Sequence, residues 1–163
     1  MTQHDQSKVE KANEYLKQAH QLHMVGQIQQ AIELYTLSID YHPTAEAFTF
    51  RGWAYSHDGQ YDKAIEECIQ AIEIDPGYGN PYNDIGSYLI EIGEYDEAER
   101  WLLKAFDAER YETPHFAHYN LGRVYERQGK WFEAIGEFKK ASAMEPNFTV
   151  AAVAQFRLQA RLN

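Results

Sequence analysis

The chain of 163 residues has one cysteine, Cys68. A single thiol allows no internal disulfide and cannot form the thiol clusters that hold zinc. Long apolar runs are missing too: no stretch of 18 apolar residues occurs, and the opening MTQHDQSKVEK has no apolar segment of a leader. The expectation is a cytoplasmic protein with no membrane partner. Cations are in short supply, with 15 Lys and Arg against 25 Asp and Glu and a net charge of −10. The imbalance is local, because residues 58–112 carry 15 of the acids and 4 of the bases. Phosphate backbones are bound by clustered Lys and Arg, so nucleic acid is disfavoured and cationic or neutral partners are favoured. The sequence contains no nucleophile elbow, no phosphate-cradling glycine loop and no metalloprotease helix. The expectation is therefore no enzyme, no catalytic residue and no cofactor.

What is present is a repeat. Four times a small residue is followed seven places later by glycine and twelve places later by alanine. The copies are Ala19, Gly26, Ala31; Gly52, Gly59, Ala64; Gly86, Gly93, Ala98; and Gly122, Gly129, Ala134. The leading residues are 33, 34 and 36 places apart. A period of that length with two helical stretches per copy marks a stacked solenoid. Helical periodicity predicts helices over 8–25, 28–41, 45–58, 61–74, 80–92, 95–109, 114–128 and 131–144, with no competing strand pattern. Gly26, Gly59, Gly93 and Gly129 fall where each first helix should stop in a left-handed cap. Pro43, Pro76 and Pro146 follow the second helices and force a turn. Thr44, Asn80-Pro81 and Thr113-Pro114 read as helix starts, and Asp62, Asp96, Glu97 and Glu133 suit the positive ends of second helices. Residues 1–7 are polar and expected to be unstructured. A ninth helix, about 148–162, is expected to cover the open end of repeat four with Val150, Val153, Phe156 and Leu158.

Slot by slot, the chain resembles the tetratricopeptide repeat family over residues 12–146. A large residue opens each first helix (Tyr15, Phe48, Tyr82, His118), and the small slot follows. Next come Leu22, Tyr55, Leu89 and Tyr125, then Ile28, Tyr61, Tyr95 and Trp131 just after each glycine. After the alanines stand Tyr35, Cys68, Leu102 and Phe138, the small Ser38, Ala71, Ala105 and Ala141, and finally Pro43, Pro76, Arg110 and Pro146. Arg110 departs from the pattern, and two extra residues in the Ala108–Thr113 connection predict a longer loop there. Repeat one is the least regular, with Gln18 in a usually aliphatic slot. The resemblance implies an all-α, right-handed superhelical solenoid of four helix-turn-helix repeats (about 12–44, 45–78, 79–114 and 115–147) with a C-terminal capping helix at 148–163.

It also implies a concave groove lined by the first helices, at positions three before and one, four and five after each small slot. These are Leu16, His20, His23 and Met24; Thr49, Trp53, Ser56 and His57; Asn83, Ser87, Ile90 and Glu91; and Tyr119, Arg123, Glu126 and Arg127, with Phe116 at the edge. Trp53, Met24, Ile90 and Tyr119 have the chemistry of anchors for a partner, and Arg123 and Arg127, four apart, could hold a carboxylate. The function implied is a non-catalytic scaffold or adaptor binding a peptide or helix of another protein. A self-assembling scaffold, including a homodimer, is the alternative, and RNA recognition is disfavoured by the acidic balance. Some family members clamp chaperone C-terminal tails with Lys, Asn and Arg. The corresponding positions carry Leu16, His20, Phe50, Asn80 and Asp84, none cationic, so that role is not expected.

Other constellations read as structure. His20, His23 and His57 lack a neighbouring cysteine and point to groove hydrogen bonding or a pH-sensitive contact, not a metal site. His115 and His118 are expected to cap and pack, Cys68 to be an inert buried thiol, and the acidic Glu91–Glu99 stretch to be solvated.

Overall fold

The computed structural model describes residues 3–162 and is all-α, with nine helices and no strand among the described residues. The helices are α1 (Gln3–Met24), α2 (Ile28–Tyr41), α3 (Ala45–His57), α4 (Tyr61–Ile74), α5 (Asn80–Ile92), α6 (Tyr95–Phe106), α7 (Pro114–Arg127), α8 (Trp131–Met144) and α9 (Thr149–Leu162). The chain divides into two units, Met1–Pro76 and Gly77–Asn163, and each is described by itself.

Within both units the turns between paired helices have one construction. Gly26, Gly59, Gly93 and Gly129 have φ between 70° and 89°, the left-handed region where a side chain is strained. That conformation lets the next residue reach back five places: Gln27 N–H donates to the Leu22 carbonyl at 2.9 Å, and Lys130 N–H to that of Tyr125 at 2.9 Å. The orphan carbonyls at the helix end are thereby satisfied.

In the first unit, Ala19, Ala31, Ile32, Tyr35 and Ala54 form the core, flanked by Leu16, Leu22, Ile28 and Phe50. Ser38 donates its hydroxyl to the Ala12 carbonyl at 2.8 Å, joining α2 to α1. Arg51 makes a two-pronged pair with Glu67 (2.8 and 2.9 Å) and also donates to Thr36 at 3.0 Å, tying α3 to α4 and α2. Cys68 is fully buried and in no disulfide.

In the second unit the helix pairs cross at glycine. A Cβ on Gly86 would stand 2.5 Å from Leu102, and one on Gly122 would stand 2.5 Å from the Phe138 ring. After α6, residues 107–113 do not continue the helix to 109 as periodicity suggests. Arg110 instead pairs with the segment before α5: its N–H donates to the Gly77 carbonyl at 2.9 Å and its carbonyl accepts from Gly79 N–H at 3.0 Å. Gly79 gives this connection room, since a Cβ there would meet Tyr111 at 2.5 Å.

Four expectations change. Gln3–Ser7 belong to α1, because no glycine or proline interrupts the helix and Asp5 suits its positive end; Met1 and Thr2 lie outside the described residues. Thr44 does cap α3, accepting from Ala47 N–H at 3.2 Å, but α5 starts behind Gly79, and Thr113 makes no side-chain cap. Leu16 packs against the core of the first unit. Finally, α9 turns Ala151, Ala154, Gln155 and Leu158 inward and leaves Val150, Val153 and Phe156 exposed. Small alanines let α9 lie close to Ala134 and Phe138 on α8, which larger side chains at those places would prevent.

The crossing constraint separates two glycines of the same region. Gly122→Ala should lower stability in urea unfolding by about 1–3 kcal/mol, the usual cost of overpacking. Gly136→Ala, in mid-α8 with nothing within 4 Å of an added Cβ, should raise stability by about 0.5–1 kcal/mol through helix propensity. Equal effects at the two sites would contradict the crossing.

Candidate functional site

The first-helix positions of the first unit gather an aromatic and imidazole cluster. On α1, His20 lies against Phe50 (ring centroids 5.3 Å apart) and His23 against Trp53 of α3 at 3.9 Å. His57, exposed, stands 5.0 Å from His23 and 5.6 Å from Trp53. His23 itself is only 4% exposed, its Nδ1 paired with the Tyr35 hydroxyl at 3.2 Å and its Nε2 buried without a partner. The three histidines therefore converge as their spacing suggests, but His23 is an interior residue. Thr49 is interior too and donates its hydroxyl to the Ala45 carbonyl at 2.7 Å. Met24 is well exposed, while Trp53 and His20 are half-buried. Among the described residues no group of three His, Cys, Asp or Glu could hold a metal ion.

In the second unit a polar chain runs through α5 and α7. Asn83 donates to the Asp84 carboxyl at 3.1 Å, Asn120 to the Asn83 carbonyl oxygen at 3.0 Å, and Arg123 to Asn120 at 3.2 Å. Arg123 then meets Glu91 at 2.5 Å. Asn83 and Ile90, expected on an open face, are buried where α5 packs beside α7. Ser87 is half-buried. Tyr119 rests on Phe138 and Phe148, and Phe148 also packs edge-on against Phe116. His115 packs on Phe116, and His118 pairs with Glu137 at 2.6 Å.

Beyond Tyr119 a groove of about 590 Å³ opens between α7 and α9. The expected residues Tyr119, Arg123 and Arg127 line its α7 side. Its floor and far side come from Trp131 of α8 and from Val150, Val153, Arg157 and Arg161 of α9, which sequence reasoning did not assign to any site. The available signal was the Arg157–Arg161 spacing of four, one helical turn on a single face.

Two desolvated groups, the buried His23 and the half-buried Asp84, give the units opposite responses to pH. Burial lowers His23 from its ordinary 6.5 to about 4, with His57 and His20 adding to the effect. The folded state refuses a proton that the unfolded chain takes, so stability falls as pH drops from about 6.5 to about 4. Burial pushes the Asp84 carboxyl up from 3.8 to about 7, against the opposing Asn83 amide. There the folded state keeps a proton, and stability falls as pH rises from about 4 through 7. Amide exchange corrected for intrinsic rates should show α1–α4 loosening with acid and α5–α9 loosening toward neutral pH. His23→Gln should flatten the first response and Asp84→Asn the second; an acid response unchanged in His23→Gln would count against this origin.

Tetratricopeptide repeat models match residues 45–78, 82–109 and 115–148, together more than half of the chain. The small glutamine-rich tetratricopeptide repeat-containing protein 2 of Mycosarcoma maydis is 36% identical over 80 residues, 48% of this chain and 23% of that protein. The TPR repeat-containing thioredoxin TTL4 of Arabidopsis thaliana is 26% identical over 139 residues, 81% of this chain and 20% of that protein. The chain spans about a fifth of the length of these relatives. Among solved structures, PilF of Pseudomonas aeruginosa matches with a TM-score of 0.87 at 22% identity, covering 95% of this chain and 70% of that one, a likeness of fold. No helix among the described residues is long and apolar enough to cross a membrane. With its glycine-crossed helix pairs and these matched segments, the chain belongs to the tetratricopeptide repeat family.

Proposed function

We propose that the chain is a non-catalytic protein-interaction scaffold that holds a peptide or helix of a partner protein on the first-helix faces of its repeats. One observation carries this reading. The small slots Ala19, Gly52, Gly86 and Gly122 are buried, and they are filled by the same kind of residue in every repeat. The next residue in each, His20, Trp53, Ser87 or Arg123, is half-buried and different every time. Packing chemistry recurs because the crossing demands it, whereas the half-open neighbours are free to vary with a ligand. Trp and Arg are side chains that dominate binding energy where they are partly desolvated.

The reading extends to a cytoplasmic setting, supported by the single buried thiol, and to a function without cofactor or nucleic acid. It does not include the chaperone-tail clamp, because Leu16, His20, Phe50, Asn80 and Asp84 supply no cation at those positions.

Trp53→Ala and Arg123→Ala, each alone and then together, test the faces of the two units separately. Each variant should keep its helical circular dichroism and lose part of the set of proteins that co-purify with the wild-type chain, identified by mass spectrometry. The double variant should lose the most. Recovery of the same proteins in the same amounts by the double variant would sink the proposal.

A further inference from the structure

The chain carries seven arginines, and four of them line the α7–α9 groove. Their spacing is periodic. Arg123 and Arg127 are four apart on α7, Arg157 and Arg161 are four apart on α9, and each α9 arginine follows its α7 counterpart by 34 residues. Two of the four are held in place by carboxylates of the same unit, Arg123 by Glu91 and Arg157 by Glu126, each at 2.5 Å. Arg127 and Arg161 are exposed and make no ion pair among the described residues. Cations therefore exceed anions by two at this groove, in a chain whose net charge is −10.

The apolar part of the groove is equally specific. Val150 and Val153 are 47% and 64% exposed, and Trp131 is 40% exposed. All three line the groove together with the four arginines. Helix α9 packs on α8 through Ala154 and Leu158, and neither valine belongs to that core. An apolar strip beside guanidinium groups is complemented by a segment with carboxylates near a bulky apolar residue. Guanidinium forks bind carboxylates through two parallel hydrogen bonds, and such charge-assisted bonds are the strong ones.

Resting on the scaffold reading above, we propose that the α7–α9 groove docks an acidic segment of a partner protein. An aliphatic or aromatic side chain of that segment lies on Trp131, Val150 and Val153. Its neighbouring carboxylates are taken by Arg127 and Arg161, with Arg123 and Arg157 held ready beside them. The acidic excess elsewhere on the chain does not oppose this at contact distance, because exposed charges are screened beyond about 8–10 Å at physiological salt.

The test selects binders to the whole chain from a random peptide display library, in parallel with Arg127→Glu/Arg161→Glu. Both substituted arginines are exposed and unpaired, so the variant should keep the wild-type circular dichroism and unfolding midpoint. Wild type should enrich segments with carboxylates close to an aliphatic or aromatic residue. A synthetic peptide of the enriched sequence should bind the variant about tenfold more weakly or worse, given the worth of two charge-assisted bonds. Its binding to wild type should weaken between about 50 and 300 mM salt. Val153→Ser should weaken the same peptide while leaving that salt dependence unchanged.

Enrichment of neutral or basic segments, or equal binding of acidic ones by the variant, would overturn the groove assignment and leave the scaffold reading standing. Failure to enrich any segment would overturn both. A wild-type dimer in light scattering that the two reversals dissolve would overturn it as well, giving the groove to a second copy of this chain.

Discussion

At Gly86 and Gly122 the backbone of one helix comes so close to the Leu102 and Phe138 side chains of its mate that no Cβ fits between them. The rest of each pair follows from that approach. Once the first helix lies against the second at this depth, Ala98 and Ala134 must stay small, and Leu102 and Phe138 fill the space alongside. The turn between them must be short, which the left-handed glycines Gly93 and Gly129 make possible. In the first unit Gly52 does the same against the Ala64 carbonyl and Glu67, at the looser distances of 3.0 and 3.1 Å.

Within each unit the interior tolerates polar groups only where they are bonded or kept neutral. The buried His23 and the half-buried Asp84 are the titratable examples, one in each unit, and desolvation disfavours the charged form of both. Asn83 and Asn120 pass a hydrogen bond from α5 to α7 and leave Arg123 anchored at the groove edge. The same chain of bonds that satisfies the buried amides thus fixes one guanidinium of the α7–α9 groove. Fixing it in advance reduces the side-chain entropy lost when a ligand binds.

Much of the scaffold was legible because its chemistry recurs. Ala31, Ala64, Ala98 and Ala134 are fully buried, and each left-handed glycine stands at the place its spacing predicts. The candidate site was legible only in part. His20, Trp53, Tyr119, Arg123 and Arg127 do lie at half-open or exposed positions, but Thr49, Asn83, Ile90 and His23 are buried. Position within a helix tells which way a side chain points, not whether a neighbouring first helix covers it. In α5, a helix packed beside α7 closes over Asn83 and Ile90. Helix α9 departs from its sequence pattern for a related reason. Val150, Val153 and Phe156 are its largest apolar residues near the start, yet the helix docks through its alanines, since close approach to α8 outweighs burial of three larger side chains.

The amino-acid sequence by itself determined the repeat, the helix count, the turn glycines and the acidic balance, since periodicity, backbone conformation and charge are local properties of the chain. Only the tertiary structure decided which polar groups lie inside, how Arg110 joins the backbone at Gly77 and Gly79, and which face of α9 is free. It alone brought Arg123 and Arg127 to the same groove as Arg157 and Arg161, because residues 34 places apart become neighbours only when successive first helices pack side by side.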